Sequence, residues 1–369
     1  MFNIPDYIYS KIFYWTIFML CLVYAFVYIQ SQDNHRLLKQ HNGLLTLAVA
    51  IFCALYVGLR PISWLFQDML AYHYQFEIYN THSLETIHWD GEWGFEVLFY
   101  LCKASAWKVS AFFMIVAMLY VLLQAFACQK LLWENTMLAF LFCISAFSFW
   151  GYATNGIRNG LACSVALVGI VYLIKQNYLW AFIVCLFAIG IHRSTTLPIT
   201  MALVAVFLIK SPKHAIFFWL LSIIISLIGG NAISAFFSQL GFDDRLNQYL
   251  TMSTQNMVFS HLGFRWDFML YSAVPVGLTW YVTQKREIND PVFNQLAITY
   301  ILSNAFWVMI NRAAFSNRFA YLSWFIFPIL IAYVFIRIPL WEDQDKKAGF
   351  ALFLHAGFTL FMYLIGKLY

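Results

Sequence analysis

Apolar residues in this chain come in long blocks rather than at every second position. The first block, Ile12 to Ile29, can cross a hydrocarbon core about 30 Å thick as a helix, and similar blocks recur to the end of the sequence. Bounded by short polar turns, they predict about twelve helices: 11–29, 43–59, 108–128, 136–152, 158–174, 178–192, 195–209, 214–230, 265–283, 292–310, 319–337 and 347–366. Transmembrane β-strands would alternate polar and apolar residues, so a barrel is excluded. The predicted class is all-α: a polytopic integral membrane protein whose 369 residues form a single transmembrane domain. Residues 178–209 read equally as a broken pair around His192-Arg193-Ser194. The first block has neither a basic stretch before it nor a small-residue cleavage site after it, so it reads as a retained span.

Two connections are long, 60–107 and 231–264, and this span list puts both on one side of the membrane. Within the first, "GFEVLFYLCKASAW" (94–107) is apolar but too short to span, which predicts an interfacial or re-entrant helix.

Composition agrees: 62% of residues are hydrophobic and 11% charged, against about 25% charged in a soluble domain. The seven cysteines are scattered and never form C-x-x-C, so they read as small buried hydrophobes. Where the charges lie says more than the net charge of +5. Eight of the twelve lysines fall in short turns on one side, which marks that side as cytoplasmic and places both termini and both long loops outside. Seven of the ten arginines lie on the other side: Arg60, Arg158, Arg193, Arg245, Arg265, Arg312 and Arg318. Two readings apply to them. Arginine snorkels to lipid headgroups, and its planar, permanently charged fork is also the better ligand for phosphate.

Four polar clusters stand out on the arginine-rich face. "GLRPISWLFQDMLAYHYQFE" holds Arg60, Asp68 and Tyr72, and Pro61 should end the helix before it. "HWDGEWGFEVL" holds Asp90 and Glu92, with Trp89 and Trp93 able to stack on a sugar or to sit in an interfacial aromatic belt. "TNGIRNGLACS" sets Arg158 between Gly156 and Gly160 at a predicted helix start, which fits an anion site or close helix packing. "AIGIHRSTTLP" brings His192 and Arg193 to the end of one apolar run. Ser194, Thr195 or Thr196 would cap the next helix, with Pro198 in its first turn. His192 fits a general base or a hydrogen-bonded structural residue. "DDRLNQYL" and "NRAAFSNRFAYL" supply Arg245, Tyr249, Arg312 and Arg318.

Missing motifs narrow the chemistry. There is no G-x-x-x-x-G-K-[ST], H-E-x-x-H or G-x-S-x-G. "DQD" (343–345) resembles a metal-binding D-x-D but lies in a lysine-bearing cytoplasmic turn, and reads as a solvated charge run.

The order of "VGLRP…D…Y", "EWGFEVL", "G-x-R-x-G-L-A", "HRST", "R-x-x-x-Y" and "NRFAYLSWF", from about residue 45 to 335, resembles the EpsG-type branch of Wzy polysaccharide polymerases. Where that family's pattern often has glutamine after the arginine, this chain has Asn159. The resemblance implies a glycosyltransferase-C-like membrane fold in the bacterial inner membrane, with the active site facing the periplasm. It implies glycosyl transfer from a glycan on undecaprenyl diphosphate to a single repeat unit on the same carrier. No cofactor, metal or nucleic acid is expected, and the partners are the two lipid-linked glycans, membrane lipid and a chain-length regulator. The expected catalytic residues are His192, Asp68 and Glu92. Arg158, Arg60, Arg193 and Arg318 are expected on the diphosphate, and Arg245, Tyr249, Trp89, Trp93, Tyr72 and Arg312 on glycan. Three rivals stay open: an O-antigen ligase with the same donor, a transporter or flippase, and a membrane O-acyltransferase built on His192. Against the transporter, the chain shows no internal repeat, and its charges gather at one face rather than at the midplane.

Overall fold

The computed structural model describes residues 4–30, 32–78, 87–239, 264–312 and 316–366. Among them the apolar blocks fold as helices and no strand occurs. The first third contributes α1 (Asp6–Gln30), α2 (Gln32–Gln40), α3 (Asn42–Gly58), α4 (Asp68–Ile78), α5 (Trp93–Ala104) and α6 (Val109–Leu131). Next come α7 (Thr136–Ile144), α8 (Phe149–Thr154), α9 (Ile157–Ile174), α10 (Tyr178–Ile191), α11 (Thr196–Leu203) and α12 (Pro212–Gln239). The chain continues through α13 (Trp266–Trp280), α14 (Pro291–Met309), α15 (Ser316–Trp324), α16 (Phe327–Arg337) and α17 (Gln344–Leu364).

Seven helices among the described residues are long and apolar enough to cross a membrane, and four shorter apolar helices accompany them. The short helix expected at 94–107 is α5, whereas α4 in the same connection is too mixed in composition to stand out as an apolar block. Three segments differ in detail from expectation. The span expected at 136–152 is broken between α7 and α8, and at the end of α7 Ser145 Oγ donates to the Leu141 carbonyl (2.6 Å). The span expected at 319–337 is one of the seven, Asn317–Arg337, with a turn just before Pro328, which has no N–H to give and settles into the first turn of α16. Residues 231–239, expected in a loop, continue α12.

By contact the chain forms two compact units. One comprises residues 1–171, 179–192 and 332–369. In it α1 runs along α17, with Tyr14 stacked on Tyr363 at 4.3 Å. Tyr9 and Tyr56 each donate a hydroxyl hydrogen bond to the other's carbonyl, at 2.7 and 2.9 Å. Phe13 lies 4.4 Å from Trp150, so aromatic burial ties α1, α3 and α8 together.

The other unit comprises 172–178 and 193–331. Its core helix α14 starts on a strong signal: Asp290 accepts from Phe293 N–H at 2.8 Å, and Pro291 follows at the first helical position. Asn304, fully buried, accepts from Trp219 Nε1 (2.8 Å) and donates to Ser323 Oγ (2.9 Å). An apolar interior tolerates such groups only when they are paired in this way.

Candidate active site

α3 ends before Pro61, and Arg60 turns inward there. It is 4% exposed, donating from Nη1 to Val57 O (2.7 Å) and from Nη2 to Thr154 O (3.3 Å). The rings of Phe113 and Phe66 flank its guanidinium at 5.4 and 5.9 Å. Burial lowers its pKa to about 10, against an opposing pull from Tyr9, so it stays cationic at neutral pH. The expected role on a diphosphate does not suit this placement. With its terminal nitrogens on carbonyls, Arg60 is a clamp between the ends of α3 and α8.

Thr154, held by that clamp, opens the stretch "TNGIRNG". Asn155 closes α8 and reaches sideways, donating from Nδ2 to Gln67 Oε1 (2.7 Å) and accepting the Asp68 backbone N–H on Oδ1 (3.1 Å). Those two bonds grip a strained point, since Gln67 has φ 43°, a conformation uncommon for a side-chain-bearing residue. A Cβ on Gly160 would lie 2.5 Å from the Tyr152 carbonyl, so α9 starts folded back against α8. Gly160 therefore serves chain packing, the plainer of its two expected roles. Arg158 stands in the first turn of α9, its guanidinium 5.9 Å from the centre of the Phe95 ring.

The partner of Arg158 comes from α5. Glu92 precedes that helix at the N-cap position, but its side chain makes no capping bond. Its carboxylate instead sets Oε2 2.6 Å from Arg158 Nη1 and Oε1 2.6 Å from His192 Nδ1. Two glycines make this meeting possible. A Cβ on Gly94 would sit 3.0 Å from Ile191 N, and one on Gly190 would sit 2.4 Å into the Trp93 indole. Without side chains there, the start of α5 closes on the end of α10, and His192, the next residue, arrives beside Glu92. The Arg158, Glu92 and His192 side chains are 19%, 22% and 14% exposed, sheltered enough for strong electrostatics and open enough for a ligand.

Around this group the other expected residues are distributed unevenly. Trp89, 59% exposed, lies 5.9 Å from Trp93, which in turn meets Phe187 edge-on at 5.5 Å, so the tryptophans form an open aromatic flank beside Glu92. Tyr72 packs 5.5 Å from Phe95, the ring under Arg158. Asp68 joins through its backbone N–H on Asn155. Arg193 is exposed at the start of a 3-10 turn in the second unit, which also contains Arg312, after α14, and Arg318, in the first turn of α15. Thr195 stands at the N-cap position of α11 and makes no side-chain capping bond to it. Arg245 and Tyr249 lie outside the described residues. Among the described residues no three His, Cys, Asp or Glu side chains gather as a metal site.

Sequence reading missed Asn155, Phe95 and the Gly94–Gly190 contact. Asn155 sits one residue before the glycine of the arginine motif, and Phe95 one turn from Glu92, near enough to have drawn notice. The glycine contact joins residues almost a hundred positions apart and leaves no local trace.

No curated protein and no solved structure matches the chain. The profile of the EpsG family does, over residues 43–368, a span that holds the Arg60 clamp and the Arg158–Glu92–His192 group. The chain therefore belongs to the EpsG family.

Proposed function

We propose that this membrane protein is a metal-independent polysaccharide polymerase that joins lipid-linked sugar repeat units on the periplasmic face of a bacterial inner membrane. Its donor is a glycan on undecaprenyl diphosphate, and its acceptor is a repeat unit on the same carrier. The observation that carries the reading is Glu92 set between a guanidinium and an imidazole, in a chain of the EpsG family.

A hydroxyl of the acceptor's terminal sugar attacks the donor's anomeric carbon. The new C–O bond forms as the bond from that carbon to the diphosphate oxygen breaks, and undecaprenyl diphosphate leaves with the electron pair. The Glu92 carboxylate 2.6 Å from Nδ1 favours the tautomer protonated there, so His192 receives the hydroxyl proton at Nε2 and later releases it to water. The anomeric carbon passes through an oxocarbenium-like state while negative charge grows on the leaving oxygen. Arg158 is aimed at that charge, which stabilises the transition state more than the ground state. Trp89 and Trp93 offer ring faces on which a pyranose stacks. Arg60 acts one layer away by fixing the end of α8, and so the start of α9.

Purified protein reconstituted with lipid-linked repeat units is expected to yield a ladder of longer chains. Acylated sugar, translocated but unextended lipid, or transfer only to a lipid A–core acceptor would overturn the proposal in favour of an acyltransferase, a flippase or a ligase.

A further inference from the structure

We propose that Glu92 is a stand-in for the substrate's diphosphate. In the resting protein its carboxylate occupies Arg158; the arriving diphosphate takes that guanidinium and turns Glu92 toward His192. This rests on the donor assigned above and adds a means by which donor binding arms the base.

One carboxylate here is shared by two partners, an oxygen 2.6 Å from each. Glu92 is well placed to cap α5 yet makes no capping bond, so its side chain is committed to those partners rather than to the helix. Glu96, one turn further on, is engaged by His88, which donates its backbone N–H to Oε2 at 2.8 Å and brings Nδ1 within 3.2 Å. Arg158 keeps unused capacity, because its buried Nε has no hydrogen-bond partner among the described residues. A guanidinium offers five N–H donors in a planar fork, so Arg158, stacked 5.9 Å from the Phe95 ring centre, has donors beyond the one that meets Glu92.

Arg158 and Glu92 cancel in charge while the donor is absent. A diphosphate brings more negative charge than a carboxylate and bonds the fork bidentately, so it is the stronger partner. Two anions on one guanidinium repel, which drives the carboxylate toward the imidazole. Released from Arg158, the negative charge of Glu92 acts more strongly on His192 and makes it a better base. No covalent bond changes and no proton moves in this exchange. The acceptor hydroxyl is therefore deprotonated only when a donor is in place.

The test uses the full-length protein in lipid nanodiscs, with undecaprenyl diphosphate as the binding probe and chain extension as the activity. Glu92→Gln should bind the probe about tenfold or more tighter, since the competing charge is gone. The same variant should lose about a hundredfold or more in kcat, since the imidazole is no longer supported. Glu92→Asp, charged but shorter, should move part of the way on both measures. Affinity that is unchanged or that falls together with kcat in Glu92→Gln overturns the inference, because a merely structural carboxylate behaves that way. Should Glu92→Gln fail to fold, Glu92→Asp decides: a rise in affinity with a fall in kcat is expected, and unchanged affinity overturns it. Wild-type protein that extends chains while Glu92→Gln gains no affinity removes this inference alone, whereas wild-type protein that extends nothing removes the donor assignment itself.

Discussion

Arg158 and Arg60 are the same residue type near the ends of neighbouring helices, yet burial sets them to different work. Arg158 is partly open and faces a carboxylate, so Arg158→Lys and Arg158→Ala should both leave a folded protein whose extension rate falls by about 10²–10³. Lysine keeps the charge but loses the fork, which is why it should rescue little. Near-normal ladders from well-expressed Arg158→Ala would refute its role. Arg60 is buried on carbonyls, so Arg60→Ala should lower stability by roughly 2–4 kcal/mol through lost packing and two unmet acceptors, read as an earlier thermal unfolding in detergent. His192→Asn retains a donor near the Nδ1 position but nothing at Nε2. It should remain as stable as wild type while extension falls by about 10²–10⁴, and retained activity would exclude His192 as the base.

Between elements, the decisive contact is α5 on α10. Gly190→Ala places a methyl 2.4–2.8 Å from the Trp93 indole and must push the start of α5 away, drawing Glu92 off His192. Since a displacement of about 1 Å can cost a hundredfold, extension should fall by that order. Gly43→Ala and Gly277→Ala, where a new Cβ meets nothing within 4 Å, are the matched controls and should be neutral or stabilising by up to about 1 kcal/mol. The same contact explains what the sequence could and could not disclose. Helices such as α9 and α14 were legible because an apolar block of that length has few other stable forms. The break after Ser145 and the turn before Pro328 were obscured by equally apolar residues on either side. At the site, the chemistry of Arg158, Glu92 and His192 was visible in their motifs, but their meeting was not. Residues 92, 158 and 192 converge because two hydrogen atoms stand where side chains usually would, and no local periodicity encodes that.

At the scale of the whole molecule, the seven cysteines mark how tightly the helices close. All are free and buried, on α1, α3, α5, α6, α7, α9 and α10. The folded protein in mild detergent should therefore resist a bulky maleimide, and denaturant should expose all seven, read as a stepwise gel shift. Early labelling of one cysteine on heating would identify the helix that loosens first. Burial of polar groups follows a different rule in the second unit, where Trp219, Asn304 and Ser323 satisfy one another across three helices. Such a chain of bonds fixes one register among apolar surfaces that would otherwise slide.

The Arg60 clamp also has a consequence for how the protein is made. Its partner Thr154 lies 94 residues downstream. At about 5–20 residues per second, the ribosome needs roughly 5–20 s to deliver that carbonyl after Arg60 has emerged. Throughout that interval the guanidinium must stay hydrated or rest among headgroups, and the end of α3 cannot seal. Closure of the first unit is thus timed by translation, and the clamp between α3 and α8 forms only once α8 has been inserted.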